Sequence, residues 1–144
     1  MEISPVFKVV TTPDELLKVF CVRSIVFVEE QQCPYKIEHD EYDYSAFHIL
    51  GEDDGEPFAA GRLRFMGEYA KLERIAVRRG WRDRGLGHEL VDFMIDVAKK
   101  QGFKSFKMHA QAHLCEFYRR HGFEVHGEMF QEANIDHYAM YRHD

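Results

Sequence analysis

The sequence predicts a mixed α/β domain, a run of antiparallel strands followed by alternating helices and strands. Three observations lead there. The hydrophobic spacing is near two residues through residues 47–77 and changes to a helical i, i+4, i+7 pattern from Leu86 onward. Glycines and an Asp-Gly pair punctuate the segments where the chain must turn. The chain has 144 residues, 45% of them hydrophobic, with twelve Phe, seven Tyr and one Trp, enough for one packed core. We therefore read residues 1–144 as a single domain. The same values exclude a disordered tail, a collagen-like fibre and a disulfide-stapled miniprotein.

Residues 6–10 read as a strand. Thr12-Pro13-Asp14-Glu15 then starts a helix, with Thr12 as N-cap, Pro13 at the first helical position and Glu15 closing a capping box. Leu17, Phe20, Cys21, Ser24 and Val28 supply its expected buried stripe. Residues 29–43 lose periodicity and carry six carboxylates against Lys36, so they read as an acidic loop with one helical turn at most. Residues 47–50, 57–65 and 69–77 form an antiparallel meander, the first pair joined by a turn at Asp54-Gly55. Leu86, Leu90, Phe93, Met94 and Val97 make an amphipathic helix stopped at Gly102. A strand over 103–110, a short helix over 112–121 and strands over 123–130 and 135–140 complete the order β-α-β-β-β-α-β-α-β-β.

The formal net charge is −6, from nineteen basic and twenty-five acidic residues, so there is no overall basic footprint for nucleic acid. No apolar run approaches the ~20 residues of a membrane span. The start of the chain has no signal-like pattern. The three cysteines, Cys21, Cys33 and Cys115, form neither a disulfide framework nor a CxxC pair. The expectation is a reduced, cytoplasmic protein. Nine histidines are scattered, and although His109 and His113 are spaced i, i+4 there is no HExxH, so no metal site is expected.

The most informative segment runs from Ile75 to His88. A strand ends at Val77, a helix begins near Gly85, and Gly85-Leu86-Gly87 lies between; five of the eleven residues from Arg74 to Arg84 are arginine. A helix start offers unpaired N–H groups and the positive end of the helix dipole. Glycines let the main chain approach an anion closely, and arginines add forked donors. Such a turn suits a diphosphate. It is no P-loop, which needs Gly-Lys-Ser/Thr, and no dinucleotide motif, since the third glycine of G-x-G-x-x-G is missing. The plain alternative is a tight strand-to-helix turn with exposed arginines.

Val77 followed by Arg82-Asp83-Arg84-Gly85-Leu86-Gly87 resembles the R/Q-x-x-G-x-G/A signature of the GCN5-related N-acetyltransferases (GNAT). Gln111, Leu114, Tyr118, Gly122 and Phe123 resemble the family's N-x-x-A-x-x-x-Y-x-x-x-G-F segment, with Gln111 in place of Asn and Leu114 in place of Ala. Residues 22–48, with Cys33-Pro34-Tyr35, and Asp136-His137-Tyr138-Ala139-Met140 look like the small bacterial ElaA/YjcF-like branch. The resemblance covers nearly the whole chain. It implies a mostly antiparallel twisted sheet flanked by helices, and acetyl-CoA as cosubstrate. The implied coenzyme contacts are Ile75, Ala76, Val77, Arg82, Asp83, Arg84, Gly85, Leu86, Gly87, His88, Gln111 and Tyr118.

The resemblance further implies direct acetyl transfer to a small-molecule amine or a lysine side chain, without an acyl-enzyme. In that scheme the Val77 N–H polarises the thioester carbonyl, and Tyr118 is the acid for the leaving thiolate. Glu73, four residues before Val77 and on the same face by period two, is the candidate base, or else it pairs with Lys71 or Arg74. His109, His113 and His137 are reserve bases. The acidic segment 29–43 either attracts a cationic acceptor or is simply solvated. Cys33 has no evident base partner, and Cys21 and Cys115 read as packing residues. A different-class reading is an acyl-CoA-binding sensor without catalysis. A homodimer is compatible with the resemblance, and the acceptor and oligomeric state stay open.

Overall fold

The computed structural model describes residues 2–144. Strand β1 (Pro5–Val9) leads into helix α1 (Pro13–Arg23), which continues without a break as a π-helical segment, Ser24–Glu30. A short helix α2 (Tyr35–Glu38) and a 3₁₀ turn (Glu41–Tyr44) precede β2 (Phe47–Asp53), β3 (Glu56–Met66) and β4 (Tyr69–Val77). Helix α3 (Leu86–Lys100), β5 (Ser105–Gln111) and α4 (Cys115–Arg119) follow, then β6 (Glu124–Val125), β7 (Phe130–Glu132) and β8 (Ile135–His143). One sheet runs β1-β2-β3-β4-β5-β8-β6, with β7 also on β8. Among the described residues only β4 and β5 pair in parallel.

The local signals explain most elements. Thr12 and Glu15 form the expected capping box, each side chain accepting from the other's backbone N–H. Asp54 (φ 50°) and Gly55 (φ 84°) supply the positive φ values of a two-residue hairpin turn. Helix α3 buries Leu86, Leu90, Val91, Met94, Ile95, Val97 and Ala98 against one face of the sheet, where Ile49, Ala59, Leu63 and Leu72 meet them. Helix α1 covers the other face, packing Val19, Val22 and Val26 on Leu50, Ala60 and Ala76. Both faces are therefore apolar, which is why the central strands show long buried runs instead of clean alternation.

Three expectations need correction. The buried face of α1 is Val19, Val22, Arg23 and Val26, whereas Leu17 is 70% exposed and Cys21 and Ser24 face solvent. An arginine occupies the inward position, so a hydrophobic count picks the wrong phase. The single strand expected over 123–130 is two, β6 and β7, because Gly127 (φ 94°) breaks it. The 29–43 segment is solvated only in part: Glu29 and Glu41 are exposed, whereas Glu38 and Asp43 are buried.

Three of its six carboxylates, Glu38, Asp40 and Asp43, are drawn inward. Arg23, 1% exposed, donates to Glu38 at 2.5 Å and to Asp43 at 2.7 Å. Arg62, equally buried, donates to Asp43 at 2.8 Å and to Asp40 at 2.7 Å. Arg74 reaches Asp40 at 3.2 Å and the Glu38 carbonyl at 3.1 Å. Burial alone would raise the Asp43 carboxyl, yet the Arg23 and Arg62 hydrogen bonds hold it well below the usual carboxylate range.

The sheet is not continuous at its centre. Strands β4 and β5 pair from Tyr69↔Ser105 only as far as Leu72↔Met108. Beyond that point they diverge. Strand β4 also bulges: Arg62 faces Glu73 and Ala60 faces Ala76, so β4 carries an extra residue around Arg74 (φ 53°).

Candidate active site

Two cavities open on either side of the split between β4 and β5. One, of about 480 Å³, runs along the start of α3 and is lined by Ile75, Ala76, Val77, Arg82, Asp83, Gly85, Leu86, Gly87, His88, Gln111 and Tyr118. The sequence reading placed all of these at a coenzyme site, together with Arg84, which lies exposed outside the cavity wall. The other cavity, of about 360 Å³, lies over β3, β4, β5 and the β7–β8 hairpin. Ile75, Gln111, Leu114, Tyr118 and Gln31 line both, so the cavities meet there.

The backbone of the first cavity suits an anion. Gly85 caps α3 with φ 77°, and no side chain caps the helix. The first N–H groups of a fifteen-residue helix are thus left for a ligand. Asp83 (φ 64°) is also left-handed, and backbone alternating in this way curls successive N–H groups into an anion-binding concavity. At Gly87 a Cβ would sit 3.2 Å from the Phe117 ring, so the helix start and α4 approach closely only because no side chain intervenes. The fit to a diphosphate group is good on these observations.

The arginines contribute less than the sequence suggested. Arg82 donates to the Val77 carbonyl at 2.7 Å and to Glu30 at 2.6 Å, bracing the turn. Arg78 is held by Glu56 and the Pro57 carbonyl, and Arg74 by Asp40 and Glu38. Only Arg79 and Arg84 stand exposed. His88 stacks on Phe117 and bonds His121 at 2.8 Å, and His121 reaches Asp92 at 3.0 Å.

Val77 carries an outward edge. The Arg78 N–H donates to the Phe58 carbonyl of β3. Strand alternation then turns the Val77 N–H the other way, toward the split. Tyr118 sits at the junction, 6% exposed, and burial pushes its phenol pKa up. No hydrogen bond contributes to that shift. The phenol therefore holds its proton throughout the neutral range and is free to donate it.

Glu73 is placed differently from the expectation. The bulge at Arg74 breaks period two, so Glu73 lines only the second cavity and Val77 only the first. The Glu73 carboxylate meets Arg64 at 2.5 Å, Arg62 at 3.2 Å and Lys71 at 3.4 Å. Burial would raise its pKa, but the Arg64 hydrogen bond with the Arg62 and Lys71 charges holds it down to about 2. A carboxylate so held is a poor proton acceptor at neutral pH. Of the two pairings considered for it, Lys71 is present, whereas Arg74 turns to Asp40.

Arg64 and Glu132 line the second cavity without having been singled out in the sequence, and so does Lys71, which was considered only as a partner of Glu73. Period two puts Arg64, Lys71 and Glu73 on one face once β3 and β4 are paired, so the first two were findable; Glu132 carried no signal. His109 and His137 also line this cavity, and His113 lines the first. Cys33 is there too, its thiol pushed up by burial, which keeps it protonated and unreactive. Cys115 is buried as expected, whereas Cys21 is exposed.

A split sheet with an uncapped helix start beside one strand is an arrangement suited to a ligand with a diphosphate end. The model of the Acetyltransferase (GNAT) domain matches residues 19–143, and the chain belongs to that family. The chain is 37% identical to an uncharacterized N-acetyltransferase, YjcF, of Bacillus subtilis, over 88% of this chain and 91% of the relative. The crystal structure of an acyl-CoA N-acyltransferase from Pseudomonas aeruginosa superposes with TM-score 0.87 at 30% identity, covering 98% and 99% of the two chains. That of Escherichia coli ElaA gives TM-score 0.86 at 28% identity, covering 98% and 99%. The small bacterial branch resembling ElaA and YjcF is the one this chain joins.

Proposed function

We propose that this protein transfers an acetyl group from acetyl-CoA directly to a primary amine while both are bound. The observation that carries this reading is the meeting of two cavities at Tyr118 and Ile75, one shaped for a diphosphate and the other charged and open. Acetyl-CoA supplies an activated acyl group as a thioester. The α3 start from Gly85 to His88 holds the diphosphate, and Gln111 offers its side-chain amide to the pantetheine arm. The Val77 N–H donates to the carbonyl oxygen as negative charge develops. Tyr118 donates to the sulfur as it leaves. With its pKa raised, Tyr118 is a weaker acid than a free phenol, so its contribution is chiefly a hydrogen bond to the developing thiolate. The acceptor, a small amine or a lysine side chain, enters by the second cavity.

Calorimetric titration with acetyl-CoA tests the binding half. Saturable binding in the micromolar range is expected, and none would refute it. A thiol-release assay across polyamines, amino sugars, amino acids and lysine peptides tests the transfer half. Replacing Tyr118 by Phe should lower kcat about 10²-fold with little change in coenzyme affinity; unchanged turnover would remove its role. Tight coenzyme binding with no thiol release from any amine would favour an acyl-CoA-binding sensor instead.

A further inference from the structure

Amine acetylation needs a proton acceptor near the junction, and Glu73 is locked among three cations. We infer that His137 is the general base of this site, with Glu132 as the positioning residue that holds the charge His137 gains. This rests on the acetyl-transfer reading above.

The ring of His137 contacts the Ile135 carbonyl through Nδ1 at 2.7 Å. A carbonyl oxygen only accepts, so Nδ1 must carry the hydrogen. In the neutral ring that leaves the lone pair on Nε2. Nε2 lies 3.8 Å from a Glu132 carboxylate oxygen, too far for a hydrogen bond and close enough to stabilise an imidazolium. The side chain is 8% exposed and forms part of the second cavity's wall. Its ring stacks on Phe130, which fixes the plane. Across the β5–β8 ladder His137 pairs with Gln111, which lines both cavities, so His137 lines the second cavity one strand from their meeting point.

The other charged groups around it are accounted for. From β7, Glu132 binds the Nδ1 of His109 at 3.0 Å. That hydrogen bond, the largest cause, keeps Glu132 below the usual carboxylate range and so ionised beside His137. From β5, His109 is farther from the junction, paired with Ala139 two residues along β8, and more exposed than His137. From β4, the Lys71 charge also helps keep Glu132 ionised. His109 thus anchors the carboxylate, and His137 keeps the free lone pair.

The step balances. Nε2 of His137 takes one proton from the acceptor ammonium, and the freed nitrogen pair forms the C–N bond at the thioester carbonyl. The C–S bond breaks with its electron pair on sulfur. The second nitrogen proton replaces the one Tyr118 gives to sulfur, and His137 returns its proton to water. The products are an amide, the free thiol and one proton.

The test compares two amines with acetyl-CoA on the full chain. One is an alkylamine from the panel, charged at pH 7; the other is hydroxylamine, already neutral there. The variant His137→Asn keeps an N–H donor for the Ile135 carbonyl and removes the basic nitrogen. Turnover of the alkylamine should fall about 10²-fold, hydroxylamine turnover should change less than about threefold, and coenzyme affinity should hold. The acid limb of the wild-type kcat/KM profile should disappear. Glu132→Gln should instead lower kcat for the alkylamine while sparing hydroxylamine and leaving KM for acetyl-CoA unchanged, since the imidazolium loses its counter-charge. If both amines lose turnover equally in His137→Asn while coenzyme still binds, or if neither does, His137 is not the base. His137→Gln, with its melting temperature measured alongside, repeats the comparison should the first variant misfold. No thiol release from the wild-type protein with any amine would overturn the transfer reading, and this assignment with it.

Discussion

Arg23 is where a residue-level count of hydrophobicity fails. It points inward from α1 and binds Glu38 and Asp43, so the segment after the helix is tied to the helix itself. Removing one partner of a buried charge network strands the others, at a cost of about 3–5 kcal/mol. Arg23→Met should therefore lower the melting temperature by on the order of 10 °C, measured by calorimetry; a shift under a degree or two would show the network to be dispensable. Single residues also limited what could be read beforehand. The Gly85-Leu86-Gly87 turn and Tyr118 were legible, because backbone contact to an anion demands glycine and a helix start. The state of Glu73 was not, because three cations from two strands converge on it only after folding.

Among the elements, α3 and the β2–β3–β4 meander were legible since their period and turns act locally. The bulge in β4 and the break between β6 and β7 were not. Both depend on which strand lies alongside, and a bulge changes side-chain facing without changing composition. The start of α3 offers a direct test of close approach. A methyl at Gly87 would press on Phe117 at 3.2 Å and push α4 away from the cavity along the start of α3. Gly87→Ala should weaken acetyl-CoA binding about tenfold, a cost of about 1.4 kcal/mol, by calorimetry. The β7–β8 hairpin turns on Ala133 (φ 52°) and Asn134 (φ 63°), a left-handed pair in which alanine is strained. Ala133→Gly should raise stability by about 1 kcal/mol in a denaturant titration; a loss would mean the alanine methyl packs usefully in the cavity it lines.

For the whole molecule, the net charge of −6 describes no particular surface. Much of the acidity is folded into pairs: Asp43, Glu73 and Asp40 all have carboxyls held below their ordinary values by neighbouring arginines. Carboxyls depressed in the folded state add stability above their unfolded pKa values and lose it as pH falls through the folded ones. Unfolding free energy should thus be steady above about pH 5 and drop between about 4.5 and 2, the ordinary and folded values of Glu73. Urea titrations at stepped pH measure it, and a flat profile down to pH 2 would contradict the pairing. The segregation of acid near α2 and arginine near α3 was visible in the sequence. That Glu38 and Asp43 face inward was not, since burial of a charge is decided by partners distant along the chain.

The π-helical stretch Ser24–Glu30 has a topological consequence. A π-turn holds one residue more than an α-turn, so this stretch behaves as an inserted residue kept within an unbroken helix. Deleting one residue from it would restore ordinary winding while everything downstream keeps its phase about the helix axis. Glu30 would stay on Arg82 and Gln31 on Gln111, contacts of 2.6 Å and 3.1 Å. A one-residue deletion in the regular helix Pro13–Arg23 would instead turn both away by about 100°, a change in phase rather than in composition.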